Sequence, residues 1–154
     1  LTSVLFVCTG NLYRSPVAAE KFRQLLSRDP ARHTWEVNSA GTWTTNGRVA
    51  PQDAILAARS LGLDLSSHRA KMIDRQTVAA ADLILVMSSN HLEALQVEFP
   101  FASSKTLLLA QAAQGLNYDI PDPAEYPQET LVILREMTSM MEQGYENICH
   151  PATF

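Results

Sequence analysis

TSVLFVCTGNLYRSPVAAEKFRQLLS, Thr2 to Ser27, changes its periodicity once. Thr2 to Val7 is an uninterrupted run of β-branched, aromatic and aliphatic residues, the pattern of a strand buried on both faces. Beyond Ser15, Ala18, Phe22, Leu25 and Leu26 fall on one side of a 3.6-residue spiral, so SPVAAEKFRQLLS reads as an amphipathic helix. Ser15 is expected to be its N-cap and Pro16 its first residue, where the missing N–H leaves nothing unsatisfied. Between strand and helix lies CTGNLYR, a turn carrying the chain's first cysteine.

The alternation continues outward. WEVNSAG (Trp35 to Gly41) reads as a second strand, and PQDAILAARSLGL as a helix with Pro51 at its start and Gly62 at its end. DLILVM (Asp82 to Met87) is a third, buried strand, followed by the helical spacing of SSNHLEALQVEF with serines suited to capping. KTLLLAQ (Lys105 to Gln111) reads as a fourth strand, NYDIPDPAEYP as a proline-broken loop, and ETLVILREMTSMMEQGY as a final helix. Strands alternating with helices require right-handed crossovers and a parallel sheet covered on both faces. The expected fold is therefore α/β, a single three-layer domain over residues 1–154 with a four-stranded parallel sheet. Ligands of such sheets bind beyond the carboxyl ends of the strands, where CTGNLYRS lies.

Composition narrows the function. A chain of 154 residues supports one good core. Its net charge of -4 offers no electrostatic reason to bind nucleic acid or an anionic membrane, and no apolar run is long enough to span a bilayer. Cys8 and Cys149, its two cysteines, form neither a disulfide framework nor a metal-ligand spacing, which points to the cytoplasm. Cys149 is expected to be a structural or surface thiol.

The first loop combines three elements that act on anions. Amide groups at a helix N-terminus and a glycine turn cradle a phosphate-like group. Arg14 adds a bidentate fork, and the same field favours Cys8 as a thiolate, a nucleophile for phosphorus. Cys8 alone reads equally well as a small apolar residue closing a strand. Gly10, Arg14 and Ser15 in a strand-to-helix turn are what that bland reading leaves unexplained.

Val7-Cys8-Thr9-Gly10-Asn11-Leu12-Tyr13-Arg14-Ser15-Pro16 resembles the signature loop of the low-molecular-weight protein tyrosine phosphatases. Ser39-Ala40-Gly41-Thr42, Ser67-His68-Arg69-Ala70, ADLILVM and Asp122-Pro123 follow in that family's order, so the resemblance covers nearly the whole chain. It implies a flavodoxin-like, phosphotyrosine phosphatase I-like fold and a two-step reaction without metal or other cofactor. Cys8 would be the nucleophile, Arg14 the phosphate clamp and Asp122 the acid and then the base. Thr9, Gly10, Asn11, Leu12, Tyr13, Arg14 and Ser15 would surround the phosphate. Asn11, Ser15, Ser39 and His68 would brace the loop, while His33, His91 and His150 are read as ordinary surface or core histidines. The implied partners are phosphorylated proteins, and the implied assembly is a monomer or weak dimer.

Departures from that pattern bear on substrate and regulation. Tyr13 stands where many relatives have a second cysteine, so a protective disulfide with Cys8 is not expected. The shortage of cysteines also weakens a likeness to arsenate reductases. Leu12 matches tyrosine-directed members, whereas members resembling arginine phosphatases have threonine there. The loop GTWTTNGRVAP, by contrast, is similar to that of bacterial arginine phosphatases. Ala124 and Glu125 replace aromatics common after the Asp-Pro pair, leaving Leu12, Trp43 and Tyr126 as expected substrate walls. Trp43 reads equally as a loop anchor. Cysteine phosphocarriers of similar fold lack the arginine, and a catalytically dead binding module would not need Cys8, Arg14 and Asp122 together.

Overall fold

The computed structural model describes residues 2–151. Four parallel strands, β1 (Ser3–Cys8), β2 (Glu36–Gly41), β3 (Leu83–Val86) and β4 (Thr106–Leu108), form one sheet in the order β2-β1-β3-β4. β1 is central, with Val4 to Val7 paired to β2 on one side and β3 on the other. Its side chains alternate between two apolar cores, as the pleat requires. Val4, Phe6 and Cys8 face a core with Phe22, Leu134 and Met141, and Leu5 and Val7 face one with Ile84, Val86 and Leu95.

The helices that close these cores are α1 (Arg14–Ser27), α2 (Gln52–Ser60), α3 (Arg75–Ala80), α4 (Ser89–Glu98), α5 (Leu109–Gln114), α6 (Thr130–Gln143) and α7 (Tyr145–Cys149). Side chains of α1, α2, α5, α6 and α7 pack with Phe6, whose ring meets that of Phe22 edge-on at 5.7 Å. α3 and α4 cover the opposite face through Val78 and Leu95. The result is the expected three-layer α/β arrangement. After β1 the chain crosses to β2, and after β3 it crosses the other way to β4. The crevice at this switch point lies beyond the carboxyl ends of β1 and β3.

Two local expectations change. α1 begins at Arg14 with Tyr13 at its N-cap, so Ser15 is a helical residue and not a cap. Its hydroxyl is instead turned toward Cys8 and Asn11. The fourth strand stops at Leu108, and Leu109 to Gln111, read above as strand, open α5. The apolar residues of that segment are buried in either conformation, so periodicity alone does not separate them. Cys149, the last residue of α7, is buried, which is the structural one of its two expected places, and burial raises its thiol's affinity for the proton.

Candidate active site

The loop from Thr9 to Tyr13 is held from several sides. Asn11 adopts φ +56°, a left-handed conformation that asparagine tolerates better than most residues. Its side-chain amide donates to Ser15 Oγ at 2.7 Å and Ser39 Oγ at 2.9 Å, and its oxygen accepts from the Lys71 amide at 2.9 Å. His68 Nε2 donates to the Asn11 carbonyl at 2.7 Å. Burial lowers the proton affinity of His68, while that carbonyl opposes the change. The segment just after β2 adds two backbone ties, Thr42 N–H to Cys8 O at 2.9 Å and Trp43 N–H to Thr9 O at 3.0 Å.

This frame fixes the surroundings of the Cys8 sulfur. Ser15 Oγ lies 3.0 Å from Cys8 Sγ, and the Ser15 amide, in the first turn of α1, donates to it at 3.4 Å. Because Ser15 Oγ already accepts from Asn11, its own proton is left to donate, and the sulfur at 3.0 Å is nearer than its other acceptor, the Ala40 carbonyl at 3.4 Å. The Cys8 sulfur therefore faces two donors of one residue at the N-terminus of α1.

Arg14 is buried and donates from Nη1 to the Ile120 carbonyl at 2.8 Å. Its Nη2 stands 3.6 Å from Asp122 Oδ2. The other Asp122 oxygen accepts the Ala124 amide at 3.0 Å, a turn that holds the carboxylate toward the arginine. Thr9, Arg14, His91, Asp119, Asp122 and Tyr126 line a cavity of about 400 Å³ at the switch point. Such a chamber is able to bind an anion at Arg14 and to exchange a proton at Asp122.

The structure brings Asn11, Ser15, Ser39 and His68 into one hydrogen-bonded brace, and sets Arg14 and Asp122 in one wall. Two of the three expected substrate walls lie elsewhere. Trp43 is 83% exposed beside a separate depression with Arg48 and Met72, because its amide is tied to Thr9 while the indole projects outward. Leu12 is buried, its side chain lying against Gly10. Tyr126 does line the cavity. Tyr13 donates its hydroxyl to Asp53 at 2.9 Å, and burial together with that carboxylate pushes the phenol up to about 12.

Sequence reasoning passed over His91 and Asp119. His91 is buried and fully hydrogen-bonded, as an ordinary core histidine would be, but its ring reaches Thr9 across the cavity wall. Its position three residues after Ser88, completing a capping box, was the legible signal. Asp119 accepts from the amide and hydroxyl of Ser89, joining the loop that carries Asp122 to the start of α4.

Fold and site together define a flavodoxin-like α/β protein with a cysteine-arginine turn beside an anion-sized cavity. The chain belongs to the low molecular weight phosphotyrosine protein phosphatase family, which matches residues 3–152. Its tyrosine phosphatases are hydrolases of phosphate monoesters. The low molecular weight protein-tyrosine-phosphatase Ptp of Acinetobacter johnsonii is 38% identical over 82% of each chain. The YwlE arginine phosphatase of Geobacillus stearothermophilus superposes with a TM-score of 0.86 at 30% identity, covering 97% of this chain and 94% of that one. The low molecular weight protein tyrosine phosphatase of T. tengcongensis gives 0.85 at 30% identity over 95% and 99%.

Proposed function

We propose that this chain hydrolyses protein phosphotyrosine through a phosphocysteine intermediate, with residues 1–154 forming one catalytic domain. The observation that carries the reading is the Cys8 sulfur, held by both donors of Ser15 next to a cavity wall in which Arg14 and Asp122 stand 3.6 Å apart. The thiolate attacks phosphorus and the phosphorus–oxygen bond to the leaving group breaks. Asp122 delivers its proton to that oxygen. Arg14 and the loop amides hold the non-bridging oxygens as charge redistributes. Asp122 then removes a proton from water, which attacks the phosphocysteine and releases phosphate and the thiolate. Ser15 eases that departure by hydrogen bonding to the sulfur. No step draws on a metal.

Tyr126 on the cavity wall favours an aromatic leaving group, and Leu12, although buried against Gly10, matches the bulky aliphatic residue of tyrosine-directed members. A second reading, arginine phosphatase, is favoured by a different observation: Asp119, Asp122, Glu125 and Glu129 all line the cavity and suit a cationic guanidinium. Phosphorylated proteins are the partners, and nucleic acid is not, given the net charge of -4. The protein acts as a monomer or weak dimer in the cytoplasm, where a catalytic thiol stays reduced. No helix among the described residues is long and apolar enough to cross a membrane. The test is a paired assay without added metal on phosphotyrosine and phosphoarginine peptides, with Cys8→Ser as control. Turnover of phosphotyrosine, lost in Cys8→Ser, supports the reading. Preference for phosphoarginine transfers it to the second, and activity on neither overturns both.

A further inference from the structure

Thr9 and His91 form a pair that the brace around Asn11 does not include. His91 Nε2 lies 2.8 Å from Thr9 Oγ1. Its Nδ1 receives the Ser88 amide at 3.1 Å and faces the Ser88 hydroxyl at 3.0 Å. An amide N–H has only a proton to offer, so Nδ1 must carry the lone pair and Nε2 the hydrogen. Nε2 therefore donates to Thr9 Oγ1. The threonine oxygen is occupied as an acceptor, and its own proton is left to be donated. Thr9, His91, Arg14 and Asp122 line the same cavity, so the direction open to that proton is toward a bound anion.

We propose that Thr9 donates its hydroxyl proton to a non-bridging oxygen of the phosphoryl group, and that His91 is the positioning residue that keeps the hydroxyl in this orientation. The inference rests on the phosphatase reading above. It adds a side-chain donor to the loop amides and Arg14. His91 suits the task because both ring nitrogens are engaged and the side chain is 3% exposed, so it has one tautomer and no freedom to turn. Burial and the nearby Arg14 keep it neutral, against the weaker opposing pull of Asp122 and Asp119. Protonation would place an N–H against the Ser88 amide and break the arrangement.

The substitutions separate the two nitrogens. Thr9→Val keeps the side-chain shape and removes the hydroxyl. His91→Asn retains an acceptor near the Nδ1 position for the Ser88 amide and loses the reach to Thr9, whereas His91→Gln restores a donor near the Nε2 position. Steady-state hydrolysis of p-nitrophenyl phosphate and competitive inhibition by inorganic phosphate are measured for each variant. Loss of one hydrogen bond to a charged oxygen corresponds to about 10- to 100-fold in affinity. Thr9→Val is expected to lower kcat/KM and raise the phosphate inhibition constant on that scale, with Thr9→Ser restoring both. His91→Asn should move the same two quantities in the same direction, His91→Gln should recover part of the loss, and His91→Asn should add nothing in the Thr9→Val background.

An unchanged inhibition constant in Thr9→Val overturns the proposal, as does a His91→Asn loss that persists in full without the hydroxyl. If His91→Asn does not fold, Thr9→Val and Thr9→Ser decide alone, since neither touches the Ser88 cap. Wild-type protein that neither hydrolyses p-nitrophenyl phosphate nor is thermally stabilised by phosphate overturns the phosphatase reading and this inference with it. Wild-type activity with an unaffected Thr9→Val variant removes the inference alone.

Discussion

A Cβ placed on Gly41 would stand 2.5 Å from the carbonyl oxygen of Thr9, and 3.1 Å from both the Cβ and the amide nitrogen of Asn11. Gly41 closes β2, and the turn from Thr9 to Tyr13 lies directly on its bare backbone. The obstacle is backbone, which has no rotamer with which to yield.

Gly41→Ala is therefore expected to displace the loop. Overpacking of this kind costs about 1–3 kcal/mol. Because the displaced atoms are those that orient Cys8 and the loop amides, kcat for p-nitrophenyl phosphate should fall by a larger factor than stability alone accounts for. Urea denaturation and steady-state kinetics on the same preparation check this. Full activity would show that the turn is not pinned by β2.

Asn11→Ala removes three side-chain hydrogen bonds, to Ser15, Ser39 and Lys71, and places alanine at φ +56°. Buried bonds contribute about 1 kcal/mol each and the left-handed conformation costs a further 1–2 kcal/mol. A loss of roughly 4–5 kcal/mol in unfolding free energy is expected. Asn11→Gly relieves the backbone term alone, so it should recover about 1 kcal/mol of that loss while activity stays depressed. Equal stabilities for the two variants would remove the conformational argument.

Asp122→Ala should slow substrates with poor leaving groups more than p-nitrophenyl phosphate, because only a basic leaving oxygen needs a proton during bond cleavage. A difference of about 10²-fold or more between phenyl and p-nitrophenyl phosphate is within the usual range for a general acid. Losses of the same size on both substrates would show that Asp122 serves Arg14, 3.6 Å away, and not the leaving group.

The sequence carried the sheet and the cysteine-arginine turn because both are local. The unbroken apolar run of β1, the change of period near Ser15 and the compact grouping of Cys8, Gly10 and Arg14 lie within one stretch. What surrounds the turn was less legible, for reasons that differ by residue. Ser15 carries the signature of an N-cap, and only the tertiary position of Asn11 and Cys8 claims its hydroxyl and moves the helix start to Arg14. Trp43 lies close to the loop in sequence pattern, but a backbone bond to Thr9 determines which way the indole projects. His91 reaches Thr9 across 82 residues, a contact no local pattern encodes.

His91 also sets a pH dependence of stability. Burial, followed by the positive charge of Arg14, pushes the imidazole down to about 4, with Asp122 and Asp119 opposing. In the unfolded chain the same group titrates near 6.5. Between these values the unfolded state binds the proton and the folded state does not, so stability rises with pH across the window. The contribution is complete above about 6.5 and is lost as the pH falls through about 4. A shift of this size corresponds to on the order of 3 kcal/mol. Urea midpoints of the wild type and His91→Asn should therefore converge on acidification, the wild type losing more than the variant between about pH 7 and pH 4. The variant keeps the Ser88 cap and every other titrating group, including His68, so the difference between the two curves isolates His91. Parallel curves across that window would mean that the imidazole is no harder to protonate in the folded protein than in the unfolded chain.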